Sequence, residues 1–251
     1  MLSCSGNSSL LPKTSGPISW WPNFRVVDTA TVAPDPAILQ KVAAYEASLR
    51  KTFDVEIATL ETPLDSRTEI VRTREAAIGD LFADALIKAT GANAVIINGG
   101  GIRGDKIYAA GSTLTRRDIL DELPFGNKTV VAKISGKNIL AALENGFSQL
   151  GRHSGRFPQV AGIKATVDPA AKPGARVRSV AINGEELDLE RIYSLATNDF
   201  LALGGDGYGM LAGDSTMTVD SGNRLVAQDV IAYLESIRQV GSKVDGRIVF
   251  L

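Results

Sequence analysis

Two glycine-containing loops of the chain each carry a phenylalanine among polar residues. The first is Leu123-Pro-Phe-Gly-Asn127, and the second is Asn198-Asp-Phe-Leu-Ala-Leu-Gly-Gly-Asp-Gly-Tyr208. Glycine allows the backbone to turn sharply and to come close to a ligand. If Phe125 and Phe200 face one crevice, they stack a flat heterocycle between them, and Asp206 accepts hydrogen bonds from a pair of hydroxyl groups. For either ring alone, a plug over the core is the better interpretation; two similar loops together with nearby arginines favour ligand contact.

Two arginines precede a predicted helix in the segment Val71-Arg-Thr-Arg-Glu75. A helix N-terminus carries partial positive charge and unpaired amides, so arginine there is unfavourable for the helix alone but suits an anion site. A guanidinium group binds two phosphate oxygens at once. Arg72 and Arg74 are therefore predicted phosphate ligands, and the alternative is salt bridging to Glu69 or Glu75.

The segment Asn98-Gly-Gly-Gly-Ile-Arg-Gly104 matches the glycine spacing of a dinucleotide-binding loop. Such a loop requires a helix directly after it. Residues 105–113 contain Gly111 and no helical stripe, so we reject that interpretation. The segment instead predicts a loop that displays Asn98 and Arg103 beside a ligand, and the alternative is a surface turn with a solvated arginine.

The chain contains one cysteine, Cys4, and one histidine, His153, among its 251 residues. A single cysteine excludes an internal disulfide and a cysteine-based metal site, and a single histidine leaves out most catalytic transition-metal sites. Acidic clusters could hold Mg²⁺ or Ca²⁺, but none has the spacing of an EF-hand loop. Since His153 lies in no nucleophile motif, the sequence predicts no catalytic residue, metal ligand or cofactor in this chain.

The net charge of −1 and the isoelectric point near 5.9 provide no overall positive field. Nucleic acid and anionic membranes attract proteins that have such a field. The sequence also lacks an apolar run of about 18 residues, the length of a membrane-spanning helix. The serine-rich N-terminus does not resemble a signal peptide. We therefore expect neither a nucleic-acid nor a membrane partner, and the sequence leaves the compartment unassigned.

Composition and periodicity divide the chain into three parts. Residues 1–19 predict a disordered leader, residues 20–54 an interdomain-type segment, and residues 55–251 a folded domain. The second part contains the aromatic run Trp20-Trp-Pro-Asn-Phe24 and a predicted helix over residues 35–53. The aromatic run predicts a surface that packs either against the domain itself or against a partner that is absent.

Helical and strand periodicities are interleaved in the third part without a regular βαβ rhythm. This arrangement predicts the α+β class, a two-layer α/β domain with a mixed sheet. The predicted helices cover about residues 75–89, 115–123, 135–150 and 224–238, and the predicted strands cover about residues 55–60, 93–98, 128–134, 159–167, 176–182, 192–197 and 247–251.

Taken together, these motifs resemble the C-terminal, substrate-binding domain of the 5′-nucleotidase family over residues 55–251. The resemblance rests on five segments in the same order: Arg72 to Gly79, Asn98 to Arg103, Leu123 to Asn127, Phe157-Pro-Gln-Val-Ala-Gly162, and Asn198 to Tyr208. It implies the fold of that domain, and it implies that the helix over residues 35–53 is the linker between the family's two domains.

The resemblance also implies roles for individual residues. Phe125 and Phe200 would stack on the base, and Asp206 would accept hydrogen bonds from the ribose hydroxyls. Asn98 and Asn127 would contact the base or neighbouring groups. Arg72 and Arg103 would hold the phosphate, with Arg74 as a weaker candidate. The backbone of Gly162 would lie close to the nucleoside.

In that family, two divalent metals and a catalytic histidine–aspartate pair belong to an N-terminal metallophosphoesterase domain, which this sequence does not show. The resemblance therefore implies a nucleotide- or nucleoside-binding domain of a 5′-nucleotidase-type phosphoester hydrolase that is inactive alone. A separate metallophosphoesterase domain is then an expected partner. The alternatives are a non-catalytic nucleotide-sensing module, or a domain of a related cyclic-nucleotide phosphodiesterase or sulfate thiohydrolase. The paired phenylalanines argue against a small sulfur substrate, because nothing flat would fill the space between them.

Overall fold

The structure, a computed structural model, describes residues 27–28, 30–212 and 223–251. It divides into two compact units, Met1–Leu49 and Arg50–Leu251. The predicted leader and the aromatic run over residues 20–24 lie outside the described residues. Within the described ranges, no helix is both long enough and apolar enough to cross a membrane.

Helix α1 spans Pro36–Phe53, as its start signal predicts. The Asp35 carboxylate accepts hydrogen bonds from the backbone N–H groups of Ala37 and Ile38, at 2.8 and 3.2 Å. These bonds satisfy amides that have no partner inside the helix. None of the helix's residues is buried.

The unit over residues 50–251 alternates strands and helices. Its strands are β1 (Glu56–Leu60), β2 (Leu64–Asp65), β3 (Ala94–Asn98), β4 (Ile107–Tyr108), β5 (Thr113–Thr115), β6 (Thr129–Ser135), β7 (Pro158–Ala161), β8 (Ile163–Val167), β9 (Val177–Ile182), β10 (Glu185–Glu186), β11 (Ile192–Asn198), β12 (Gln239–Val240) and β13 (Ile248–Phe250). Its helices are α2 (Thr68–Val71), α3 (Ala77–Thr90), α4 (Arg116–Glu122), α5 (Gly136–Phe147), α6 (Asp199–Ala202) and α7 (Val226–Ile237).

A mixed four-stranded sheet with the order β6-β11-β3-β7 forms the centre of this unit. Strand β11 is parallel to β3 and antiparallel to β6, and β3 is antiparallel to β7. The remaining strands form the sheets β10-β9-β8-β13, β12-β1-β5 and β2-β4. The mixed sheet and the interleaved helices confirm the α+β class.

Strand β3 is buried along its whole length, and its side chains alternate between two cores. Val95 and Ile97 pack with residues of α3 and α7, whereas Ala94 and Ile96 pack with residues of α5, β8 and β9. Successive side chains of a strand point to opposite faces, so both faces of the central sheet are covered. The covered faces leave the ends of the strands accessible, and these ends carry the residues of the candidate site described below.

Local signals set the boundaries of most helices. The Thr115 side chain accepts a hydrogen bond from the backbone N–H of Asp118, and the Asp118 side chain accepts one from the backbone N–H of Thr115, which is a capping box for α4. Ser135 caps α5 through the backbone N–H of Asn138. Helix α3 begins at Ala77 rather than at Glu75, because Ala76 has an extended backbone with φ of −131° and ψ of 133°. The buried Glu75 carboxylate binds three backbone N–H groups near the C-terminus.

Candidate functional site

An open cleft of about 420 Å³ lies where the carboxyl ends of strands β3 and β11 meet. Parallel neighbouring strands end at the same edge, which is where open α/β sheets bind ligands. Seven of the nine residues predicted from the sequence line this cleft. The lining residues are Arg72, Asn98, Gly100, Gly101, Arg103, Phe125, Asn127, Gly155, Phe200 and Asp206.

Both predicted stacking rings line the cleft and are accessible to solvent. Phe125 is 60% exposed and Phe200 is 44% exposed, so neither ring plugs the core. The Phe200 ring lies directly against Gly205, where a Cβ atom would come within 2.5 Å of the ring. Glycine at this position therefore allows the ring to pack closely against its own loop.

Asp206 is held from two sides. Asp206 has a left-handed backbone with φ of 52°, which is uncommon for residues other than glycine, asparagine and aspartate. The Asn98 Nδ2 group donates a hydrogen bond of 2.8 Å to Asp206 Oδ2, and the Asn145 Nδ2 group donates one of 3.2 Å to the Asp206 carbonyl. The second carboxylate oxygen, Oδ1, has no protein donor among the described residues, so it is available to a ligand hydroxyl.

The two arginines of the cleft have no carboxylate partner among the described residues. The alternative of salt bridges to Glu69 or Glu75 does not hold, because Glu69 pairs with Arg67 at 2.9 Å and Glu75 binds backbone amides. The buried Arg72 Nε atom makes no hydrogen bond within the described ranges. Burial lowers the pKa of Arg72, and the positive charge of Arg103 lowers it further. An anion that bound both groups would relieve these costs.

The structure does not bring Arg74 to the cleft, although it lies only two residues from Arg72. Arg74 is exposed, and its backbone carbonyl accepts a hydrogen bond of 2.8 Å from Gln159 Nε2. The chain between α2 and α3 has no regular periodicity, so neighbouring side chains in it point in unrelated directions.

Gly162 also lies outside the cleft, which corrects its assignment to the nucleoside site. It follows β7, which pairs antiparallel with β3 so that Pro158 is opposite Asn98 and Ala161 is opposite Val95. Gly162 therefore lies at the other end of the paired strands from Asn98. It has φ of 69°, and a Cβ atom there would come within 2.4 Å of the Asn93 carbonyl oxygen, so the glycine serves a tight turn.

Two groups of residues in the site were not predicted from the sequence. The first is the glycine contact between Gly100 and Gly155, where the Gly100 N–H donates to the Gly155 carbonyl at 2.8 Å and a Cβ on Gly100 would come within 2.8 Å of Gly155 Cα. The second is Asn198, which is buried at the end of β11. A polar residue that ends a strand and begins a helix is a recognisable capping signal, so Asn198 could have been found.

A second, apolar cavity of about 230 Å³ adjoins the cleft beneath the loop over residues 123–127. The two spaces share Gly101, Phe125 and Asn127. The remaining walls of the second cavity are Ile97, Leu120, Leu123, Pro124, Gly126, Asn198, Leu225, Val226 and Ala227.

One group of carboxylates in the described ranges has the spacing of a metal site, and it lies away from the cleft. Its members are Glu75, Asp80 and Asp245. Glu75 already accepts three backbone N–H groups, and Arg247 lies 3.0 Å from Asp245. Burial raises the pKa of Asp80 to about 8, and the negative charge of Glu75 adds to this rise. The backbone bonds of Glu75 and the ion pair between Asp245 and Arg247 favour a structural role for this group.

Comparison with known proteins identifies relatives of this chain. The sequence model of the 5′-nucleotidase C-terminal domain matches residues 56–213. The trifunctional nucleotide phosphoesterase protein YfkN of Bacillus subtilis is 34% identical over 85% of this chain and 15% of that protein. A snake venom 5′-nucleotidase from Naja atra is 30% identical over 88% of this chain and 45% of that protein.

Among solved structures, a 5′-nucleotidase precursor from Thermus thermophilus is similar to this chain with a TM-score of 0.77 and 32% sequence identity. The similarity covers 87% of this chain and 44% of that one. The chain thus spans less than half the length of each of these three proteins. The chain belongs to the 5′-nucleotidase family, and the match assigns residues 56–213 to the C-terminal domain of that family.

Proposed function

We propose that this domain binds a nucleoside 5′-phosphate in the cleft at the ends of β3 and β11. The base stacks between Phe125 and Phe200, and the ribose hydroxyls donate to the Asp206 carboxylate. The phosphate binds the guanidinium groups of Arg72 and Arg103. The observation that carries the proposal is the convergence of four separate segments on one cleft. Within the part of the chain that the structure describes, these segments bring two exposed rings, one carboxylate and two arginines without a carboxylate partner.

The charges of the cleft suit an anion rather than a metal ion. Among the described residues that line it, the one carboxylate is Asp206, and one oxygen of that group already accepts a hydrogen bond from Asn98. Divalent metals require several oxygen or imidazole ligands. The cleft residues therefore do not fit the two-metal centre of the family's hydrolases, and we assign no metal-dependent step to them.

The contribution of this domain to phosphoester hydrolysis is then binding and orientation. Holding the base and ribose fixes the position of the phosphate, and two guanidinium groups neutralise its charge. We propose that hydrolysis itself requires a metallophosphoesterase domain as partner, and that the 251-residue chain alone binds nucleotides without cleaving them.

A calorimetric titration with AMP, adenosine and UDP-glucose, without added metal, tests the proposal. We expect saturable binding of AMP by the wild-type chain and weaker binding by the Phe200→Ala variant. A matched control is Tyr45→Ala, which removes an aromatic ring that is 72% exposed on α1 and outside the cleft. Absence of binding by the wild type, or equal loss in the two variants, contradicts the proposal.

A further inference from the structure

A chain of hydrogen bonds runs from the end of β11 through the end of β3 to the cleft. The Asn198 Nδ2 group donates to Asn98 Oδ1 at 3.1 Å, and the Asn98 Nδ2 group donates to Asp206 Oδ2 at 2.8 Å. Asn198 and Asn98 are 5% and 4% exposed, so water competes little for these bonds. Asp206 therefore depends on a residue with which it has no direct contact.

The direction of this chain is determined at both ends. At one end, an ionised Asp206 carboxylate only accepts, so Asn98 must turn its NH₂ group towards it. At the other end, Asn198 Oδ1 accepts a hydrogen bond of 2.8 Å from the backbone N–H of Leu201, so its NH₂ group must face Asn98. Each asparagine amide has one orientation that satisfies both neighbours, which makes the network a directional support for Asp206.

The same Asn198 side chain also caps α6, the short helix that contains Phe200. Its Oδ1 satisfies the Leu201 N–H, which has no partner within the helix. The two polar atoms of one buried side chain thus hold the stacking ring through the helix cap and the carboxylate through Asn98.

We propose that Asn198 is a positioning residue for nucleoside recognition, with its Nδ2 group orienting Asp206 through Asn98 and its Oδ1 atom placing Phe200. Asn198 itself does not line the open cleft. This inference rests on the proposed function, since it requires that Asp206 accepts hydrogen bonds from ribose hydroxyls.

The two parts of this role are separable by substitution. Asn198→Asp keeps the oxygen that caps α6 but removes the donor to Asn98. The Asn98 amide then turns its NH₂ group towards residue 198, and its oxygen faces the Asp206 carboxylate. Asn198→Ser also keeps a capping oxygen, because serine is a common N-cap, but its side chain is too short to reach Asn98. Asn198→Ala removes both interactions.

The reporter is a pair of ligands that differ only in the hydroxyl groups, adenosine and 2′,3′-dideoxyadenosine. We expect Asn198→Asp and Asn198→Ser to weaken adenosine binding by about tenfold, the effect of losing one hydrogen bond to a charged group. Both variants should leave dideoxyadenosine binding within about twofold of wild type, since that ligand makes no bond to Asp206. Asn198→Ala should weaken both ligands, because Phe200 loses its support as well.

A double variant tests the direction of the network. In Asp206→Asn, the new NH₂ group can donate to an Asn98 amide that has turned over. Combining it with Asn198→Asp therefore restores a continuous chain that runs the opposite way and leaves the amide oxygen at position 206 for the ribose. We expect the double variant to bind adenosine no more weakly than Asp206→Asn alone, a non-additive result.

Asn138→Asp is the matched control for the change in charge. Asn138 lies in the first turn of α5 and does not line the cleft. This helix follows the end of β6 that pairs with the start of β11, whereas Asn198 is at the end of β11. It should bind both ligands as wild type does. Should Asn198→Asp fail to fold, Asn198→Ser carries the same comparison.

Isothermal titration calorimetry of each variant with both ligands gives the ratio of the dissociation constants for adenosine and dideoxyadenosine, and this ratio tests the inference. Equal weakening of adenosine and dideoxyadenosine in Asn198→Asp and Asn198→Ser overturns the inference, because it indicates a purely structural role. Unchanged binding of both ligands also overturns it. If the wild type binds AMP but neither nucleoside, the same variants are compared with AMP and 2′,3′-dideoxy-AMP. If it binds none of these ligands, the proposed function itself fails, and that result is distinguishable because it appears before any variant is compared.

Discussion

The guanidinium carbon of Arg103 lies 5.7 Å from the centroid of the Phe125 ring. The two residues come from different loops, one after β3 and one after α4. A guanidinium group over an aromatic face is attracted by the ring quadrupole, by about 0.5–1 kcal/mol at an exposed site. The contact joins the proposed base-binding and phosphate-binding parts of the cleft, so the two loops position each other.

Replacing Phe200 with alanine should weaken the binding of adenosine and AMP by the same factor. The stacking contact with the base is lost in both cases, and its loss costs about 1–3 kcal/mol. Parallel titrations with both ligands measure the effect. A loss confined to AMP would show that the ring acts on the phosphate instead of the base.

Replacing Arg103 with alanine should weaken AMP binding more than adenosine binding, because only AMP offers phosphate oxygens to the guanidinium. The matched control is Arg74→Ala, which removes an exposed arginine that does not line the cleft and should leave both affinities unchanged. Equal losses for AMP and adenosine in Arg103→Ala, or a larger loss in Arg74→Ala, would contradict the phosphate assignment.

The contribution of Asp80 to the stability of the domain should fall as pH rises from about 4 to about 8. Its carboxyl group is buried without a hydrogen-bond donor among the described residues, and burial raises its pKa from 3.8 to about 8. In this range the native state holds a proton that the unfolded state has released, so the free energy of unfolding decreases with pH.

Asp80→Asn should remove this pH dependence, since an amide does not ionise. Relative to wild type, the variant should gain on the order of a few kcal/mol between pH 5 and pH 8. Urea unfolding at both pH values measures the difference, and Asp121→Asn, at an exposed position on α4, is the control. If the free energy of unfolding of the wild type changes with pH in parallel with that of Asp80→Asn, Asp80 is already ionised at pH 5.

The purified 251-residue chain should release no phosphate from AMP in the presence of Mn²⁺, Co²⁺ or Zn²⁺. The described residues of the cleft offer arginines and a single carboxylate, which do not form a metal centre. A phosphate-release assay measures this, with the His153→Ala variant as a control for activity that contaminants contribute. Metal-dependent release that persists through purification and co-elutes with the chain would refute the prediction.

Local sequence determined most of the secondary structure. Thr115 and Ser135 are followed by helical stripes, and each starts a helix at the next residue because its side chain satisfies an unpaired amide. Helix α5 nevertheless ends at Phe147, three residues before its predicted end at Leu150. Helix ends depend on tertiary contacts that a short window of sequence does not contain.

The sequence also predicted which residue types the candidate site contains, because phenylalanines and arginines in glycine-rich loops favour contact with a ligand. Only the tertiary structure decided which of them meet. The parallel pairing of β3 with β11 brings Asn98 and Asn198 to one edge, although they are 100 residues apart. Because β7 is antiparallel to β3, Gly162 lies at the other end of the strands. Arg72 lines the cleft and Arg74 does not, because both lie in irregular backbone. There, the direction of a side chain follows from the surrounding packing and not from spacing along the chain.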